Sequence, residues 1–222
     1  MPEQTGSRSG DGGDAIEAVV CDFGGVLTTP LFEAFAKIQE EFGIEGEDLA
    51  AAMRMLTERS GENPLFPLER GEVSEDAFLA KLGAALEELL GRETHVHRFR
   101  EALFEGLDPN PPMIELMREL RGRGLRMAML TNNVREWEPL WRSMLPVDEI
   151  FEEVVDSGFV GYRKPEARIY EITVGRIGVP YERCLFVDDL EPNIAAAEGL
   201  GMRTVHFRDN EQAIPAIRAA LG

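Results

Sequence analysis

Cysteine is almost missing from this chain, with Cys21 and Cys184 the only two in 222 residues. Neither belongs to a metal-spaced pattern, which argues against a zinc or iron–sulfur site built on thiolates. Both sit in apolar, strand-like runs and read as small buried hydrophobes of a reducing compartment, although two cysteines suffice for one disulfide. Long hydrophobic runs are lacking too. No stretch approaches the roughly 18–20 apolar residues of a membrane helix, so no membrane span is expected. Positive charge is scarce: 23 Lys and Arg stand against 41 Asp and Glu, a net charge of −18. So acidic a body argues against a nucleic-acid or anionic-membrane partner. Any phosphate bound here needs a locally positive place, made by a metal or by a single well-placed Lys or Arg. Residues 1–14, rich in Gly, Ser and charge, lack the apolar core of a signal peptide and are expected to be a disordered leader. A cytoplasmic location follows as the default.

What is present is 44% hydrophobic content, enough for one α/β domain with a small insert. The organising stretch runs from Ile16 to Thr29. An apolar run ends at Asp22, and Gly24 and Gly25 follow in the sequence Asp22-Phe23-Gly24-Gly25-Val26. This reads as a buried strand of a parallel sheet that delivers one carboxylate to its carboxyl end, where open α/β sheets bind ligands. From Leu31 to Glu105 nothing alternates as a strand does. Helices are expected over 31–42, 47–59, 75–90 and 94–104, with Ser60 to Pro67 as an exposed apolar loop and Ser74 as a helix cap. Beyond Pro112 the rhythm changes. Strands are expected over 125–130, 152–157, 183–187 and 203–207, with helices over 113–122, 134–144, 166–177, 190–199 and 211–221. That alternation means right-handed βαβ units. The expected fold class is therefore α/β, a Rossmann-like parallel sheet with helices on both faces. The core comprises residues 15–29 and 108–222, and a small all-helical cap spans 30–107.

Three further strand ends carry chemistry. Thr131 and Asn132 follow the second strand, where a hydroxyl and backbone amides can hold a phosphate oxygen. Lys164-Pro165 precedes a helix, with Pro165 expected at the first helical position and Lys164 able to neutralise an anion. Val187-Asp188-Asp189 brings two adjacent carboxylates to one strand end. Like charges so placed call for a hard cation, and Mg²⁺ takes carboxylates together with phosphate oxygens.

Taken together and in this order, Asp22-Phe23-Gly24-Gly25-Val26, Leu130-Thr131-Asn132, Lys164-Pro165 and Val187-Asp188-Asp189 with Asn193 resemble the haloacid dehalogenase-like superfamily. The helical insert resembles that family's C1 cap, and the Arg70-Gly71-Glu72-Val73-Ser74 turn resembles the phosphatase domain of soluble epoxide hydrolases. The resemblance implies a Mg²⁺-dependent phosphatase that forms an aspartyl-phosphate on Asp22 and acts on a small phosphorylated metabolite. It further implies Asp22, the Gly24 carbonyl and Asp189 as metal ligands, with Asp188 assisting them and pairing with Lys164. Thr131, Asn132 and Lys164 would bind the phosphoryl group. A homodimer is the candidate assembly. One position departs from the family's phosphatases, which carry an acid/base Asp where this chain has Gly24. Without it, substrates with leaving groups of low pKa should be favoured, and Glu69 and Glu72 are the acids to test in its place. The same glycine keeps open a catalytically weak phosphate- and metal-binding regulatory protein. A metal-independent dehalogenase is a third reading, disfavoured by the paired Asp188-Asp189. Phe35, Leu65, Phe66 and Arg70 of the insert are candidates for touching substrate.

Overall fold

A computed structural model describes residues 15–94, 96 and 98–222, without the side chains of residues 32 and 35. The expected leader over 1–14 lies outside the described residues. Five strands form one parallel sheet in the order β3-β2-β1-β4-β5: β1 Ala18–Cys21, β2 Arg126–Thr131, β3 Glu153–Asp156, β4 Cys184–Asp188 and β5 Arg203–His206. The central place of β1 explains its unbroken apolar run, since it is covered on both faces. Alternate residues feed opposite cores. Val19, Cys21, Met127, Met129, Leu185 and Val187 pack under one layer of helices. Ala18, Val20, Ala128, Leu130 and Phe186 pack under the other.

The insert between β1 and the rest of the sheet is helical throughout its assigned elements: α1 Leu31–Phe42, α2 Gly46–Ser60, α3 Leu65–Glu69, α4 Glu75–Leu90 and α5 Phe99–Glu105. They share an apolar cluster of their own, with Ile38, Ile44, Leu68, Leu82 and Leu86 almost fully buried. The chain leaves and re-enters the sheet layer along one seam. The Thr29 amide donates to the Asp108 carbonyl at 2.8 Å and the Asn110 amide to the Leu27 carbonyl at 2.8 Å. The remaining helices are α6 Pro111–Gly122, α7 Glu138–Ser143, α8 Val147–Ile150, α9 Ser157–Val160, α10 Ala167–Ile177, α11 Glu191–Gly199 and α12 Asn210–Leu221.

Several expectations need correction. Only the end of the stretch taken for an exposed loop, Leu65 to Pro67, folds into α3, because Leu65 and the buried Leu68 join the insert's apolar cluster. The helix expected over 94–104 starts only at Phe99. Pro165 does not occupy a first helical position; α10 begins at Ala167, after Glu166 as N-cap. The single helix expected over 134–144 is a 3₁₀ turn, Arg135–Trp137, followed by α7. No helix among the described residues is long and apolar enough to cross a membrane.

Asp156, the last residue of β3, went unnoticed in the sequence. It caps α9 by accepting from the Gly158 amide at 2.8 Å, while its second oxygen is buried with no partner. Burial pushes its carboxyl up to about 6. Between pH 4 and pH 6 the folded chain therefore keeps a proton that the unfolded chain has lost, and stability falls as pH rises through that window. Asp156→Asn should gain on the wild type by up to roughly 3 kcal/mol between pH 4 and pH 7, read from urea melts. A difference that stays constant with pH would mean that Asp156 titrates as an ordinary carboxyl.

Candidate active site

The site grows out of strand register. Cys21 of β1 lies level with Val187 of β4, so the next residues, Asp22 and Asp188, also lie level. The Asp22 amide extends the pairing by donating to the Val187 carbonyl at 2.9 Å. By alternation both carboxylates follow Val20 and Phe186 onto the face that α10 covers. The loop ahead of α10 carries Lys164, whose Nζ lies 5.8 Å from the Phe186 ring centre. That Nζ is 2.7 Å from Asp22 Oδ1 and 2.7 Å from Asp188 Oδ2. Lys164 is 1% exposed and Asp188 wholly buried.

The electrostatics follow from this burial. Desolvation alone would push the Lys164 ammonium down, but Asp188 and Asp22 overcome it and hold the group charged. Burial pushes Asp22 upward against the pull of Lys164, and Asp188 adds to the rise. Asp189, half-buried, is raised by burial and by Asp188 beside it. Asp188 is engaged on both oxygens. Oδ1 accepts from the Leu190 amide at 2.8 Å and from Asn193 Nδ2 at 2.9 Å, and Oδ2 takes Lys164.

Asn132 does something the sequence did not reveal. Its side chain clasps the Lys164 backbone, accepting from the Lys164 amide at 2.7 Å and donating to the Lys164 carbonyl at 3.0 Å. Thr131 ends β2, level with Asp156, and is buried. Gly25 adopts φ 78°, and a Cβ there would stand 2.3 Å from Asp189 Oδ2. Gly24 has no such crowding, its nearest neighbour being Leu31 Cδ1 at 3.8 Å.

Ligand oxygens of Asp22, Asp188 and Asp189 lie within 4.8 Å of one another. Three carboxylates face one buried ammonium, so the cluster keeps an excess of negative charge and offers only hard oxygen donors. That donor set suits Mg²⁺. The cavity over it is walled by Arg163, Lys164, His206 and Arg208. Arg163 and His206 were missed in the sequence, because a lone surface-type Arg and a strand-end His carry no motif. A second, apolar cavity of about 300 Å³ lies between the sheet edge and the insert, and the two share Gly24, Leu31, Glu69 and Asn132. Of the insert candidates, Leu65 lines the apolar cavity. Phe66 instead lies against the Arg163 guanidinium, 3.9 Å from its ring centre. Arg70 is tied to Glu72 and Glu62 at 2.8 and 3.0 Å. The Phe35 side chain is outside the described residues.

Residues 16–201 match the model of the haloacid dehalogenase-like hydrolases, and the chain belongs to that family. It is 27% identical over 215 residues to a sesquiterpene phosphatase of Aspergillus oryzae, covering 93% of this chain and 97% of that protein. It is 28% identical over 215 residues to mouse acyl-CoA dehydrogenase family member 10, covering 95% of this chain but spanning only 20% of that longer protein. The fold also matches a haloacid dehalogenase family enzyme from Bacteroides thetaiotaomicron, solved as a magnesium complex. The TM-score is 0.67 at 21% identity, covering 92% of this chain and 99% of the other.

The two glycines should behave differently. Gly25→Ala should lose roughly 2 kcal/mol or more, since it combines a left-handed backbone with a clash against Asp189. Gly24→Ala should melt within a few degrees of the wild type. Equal thermal losses would contradict the geometry of this turn.

Proposed function

We propose that this protein is a Mg²⁺-dependent phosphomonoester phosphatase that works through an aspartyl-phosphate on Asp22. The carrying observation is the placement of Asp22, a buried carboxylate held 2.7 Å from the Lys164 ammonium beside an all-oxygen cluster. The near end-to-end similarity to a phosphatase supports the same reaction class. An Asp22 oxygen attacks phosphorus in line, the bond from phosphorus to the ester oxygen breaks, and the departing oxygen takes a proton. Water then attacks phosphorus, the bond to Asp22 breaks, and inorganic phosphate leaves. Lys164 neutralises the phosphoryl oxygens, and Asp188, itself fixed by Asn193, holds Lys164 in place. Thr131 and the Asn132 amide bind the remaining phosphoryl oxygens. Held by Asp22, Asp189 and the Gly24 carbonyl, Mg²⁺ would offset the repulsion between anionic nucleophile and anionic ester.

Gly24 has no proton to give. Glu69 lines both cavities from the insert side and is 19% exposed. Burial raises its carboxyl, opposed by Arg163, whose Nε lies 2.6 Å away. Glu72 is exposed and bound to Arg70. Glu69 is therefore our proton donor to the leaving oxygen.

Turnover of p-nitrophenyl phosphate should vanish with EDTA and return with Mg²⁺, and Asp22→Asn should lose at least ~10³-fold in kcat while melting normally. Full activity in metal-free buffer, or retained turnover in Asp22→Asn, would overturn the reading; phosphate binding without turnover would favour a regulatory role. Glu69→Gln should lower kcat about 10²-fold on alkyl phosphates and far less on p-nitrophenyl phosphate, whose phenolate needs little protonation. Equal losses on both would remove Glu69 as the acid.

A further inference from the structure

We propose that the apolar cavity receives the hydrocarbon tail of the substrate, so that the ester is a phosphate carrying a straight or branched aliphatic chain rather than a sugar or another polyol. This rests on the phosphatase reading for the identity of the head group. Four observations carry it.

The first is continuity. The apolar cavity and the acidic one share Gly24, Leu31, Glu69 and Asn132, so a molecule whose phosphoryl group sits over Asp22 has the apolar cavity as its next space. Leu31, the first residue of α1, is 50% exposed at that junction. The second is wall chemistry. Leu49, Met53, Leu82, Phe99, Leu103 and Phe104 supply the walls from α2, α4 and α5. The polar residues of the lining are Glu69, Thr131, Asn132 and Asn133. Asn132 already binds the Lys164 backbone, and Asn133 Oδ1 already accepts from the Val134 amide at 2.9 Å. A polyol placed there would bury hydroxyls with few partners, whereas an alkyl chain loses nothing by leaving water.

The third is size. About 300 Å³ falls at the lower end of small-molecule sites and far above the voids that a close-packed core leaves. The fourth is that the insert's apolar cluster does not close on itself. Ile38, Ile44, Leu68 and Leu86 of that cluster line neither cavity, whereas Leu49, Phe78, Leu82, Phe99 and Leu103 of the same cluster border the apolar one. The insert therefore packs one part of its apolar cluster tightly and leaves another part bordering an open space toward the site. Arg163, Lys164 and Arg208 mark the other end as the place of the anion. The two cavities together fit an amphiphile, with a charged head in one and an apolar tail in the other.

Binding of alkylphosphonates with two to ten carbons to the Mg²⁺-loaded full chain tests this by calorimetry, without relying on turnover. Kd should fall about fourfold per methylene and level off once the chamber is full. Ala50 lines the same cavity from α2, and Ala50→Trp should shrink the ratio of short-chain to long-chain Kd at least tenfold. A ratio measured within one protein sample is insensitive to the fraction folded. Affinity independent of chain length overturns the proposal, as does a chain-length dependence that Ala50→Trp leaves intact. The two readings fail separately. If phosphonates bind with the expected chain-length dependence and neither alkyl phosphates nor p-nitrophenyl phosphate is hydrolysed, the tail site stands and the phosphatase reading falls. If p-nitrophenyl phosphate is hydrolysed and phosphonate affinity is flat, the reverse holds.

Discussion

The site depends on one buried cation shared by two buried carboxylates. Taking Lys164, Asp22 and Asp188 out of water is costly, and only close geometry with further hydrogen bonds offsets that cost. Each surrounding feature supplies part of this geometry. The level pairing of β1 and β4 sets Asp22 beside Asp188, the packing of α10 on the same face aims Lys164 at both, and Asn132 grips the Lys164 backbone from just past the end of β2. Asn193 is in turn fixed by the Tyr170 hydroxyl, which donates to its carbonyl at 3.0 Å. Loss of the ammonium would leave two like charges side by side in an apolar surround, so the arrangement is interdependent rather than a set of separable pairs.

The insert meets the sheet layer through a few definite contacts. Glu75 accepts from Trp137 Nε1 at 2.8 Å and pairs with Arg100 at 2.9 Å. Phe104 meets Trp137 edge-on with ring centres 5.8 Å apart. At Gly71, φ is 67° and the space a Cβ would need is filled by the Gly158 carbonyl of α9, so only glycine lets these backbones approach. Arg163 binds Glu69 and covers Phe66, and it is the residue next to Lys164. The surface ion pairs elsewhere, such as Arg59 with Glu88, contribute little each. What joins the two parts is thus concentrated around the shared rim of the two cavities, where position bears on chemistry.

Much of this was legible from residue order alone. The unbroken run into Asp22 announced a central strand because only a strand covered on both faces can be apolar throughout. The bounds of α1 and α4 matched residue for residue, since their apolar spacing, the Ser74 cap and the closing glycines Gly43 and Gly91 are local signals. Less local features were not legible. α3 forms in a stretch rich in Pro and Gly because of partners on α4, and the break at Arg135–Trp137 answers to the packing of Trp137 against the insert. Both are decided by contacts distant in sequence.

The same division runs through the site. The sequence by itself placed the carboxyl end of each strand to within one residue and gathered an excess of carboxylates at one edge, because strand, turn and charge are read within a few residues. Only the tertiary structure decided that Lys164 lies midway between Asp22 and Asp188, and that Asn132 serves the Lys164 loop. It alone joined Glu69 to a glycine 45 positions away in the chain. It alone left an apolar chamber beside the charged one. Side chains from six or more separate elements meet there, and no local pattern encodes a space that forms only when they are all in place.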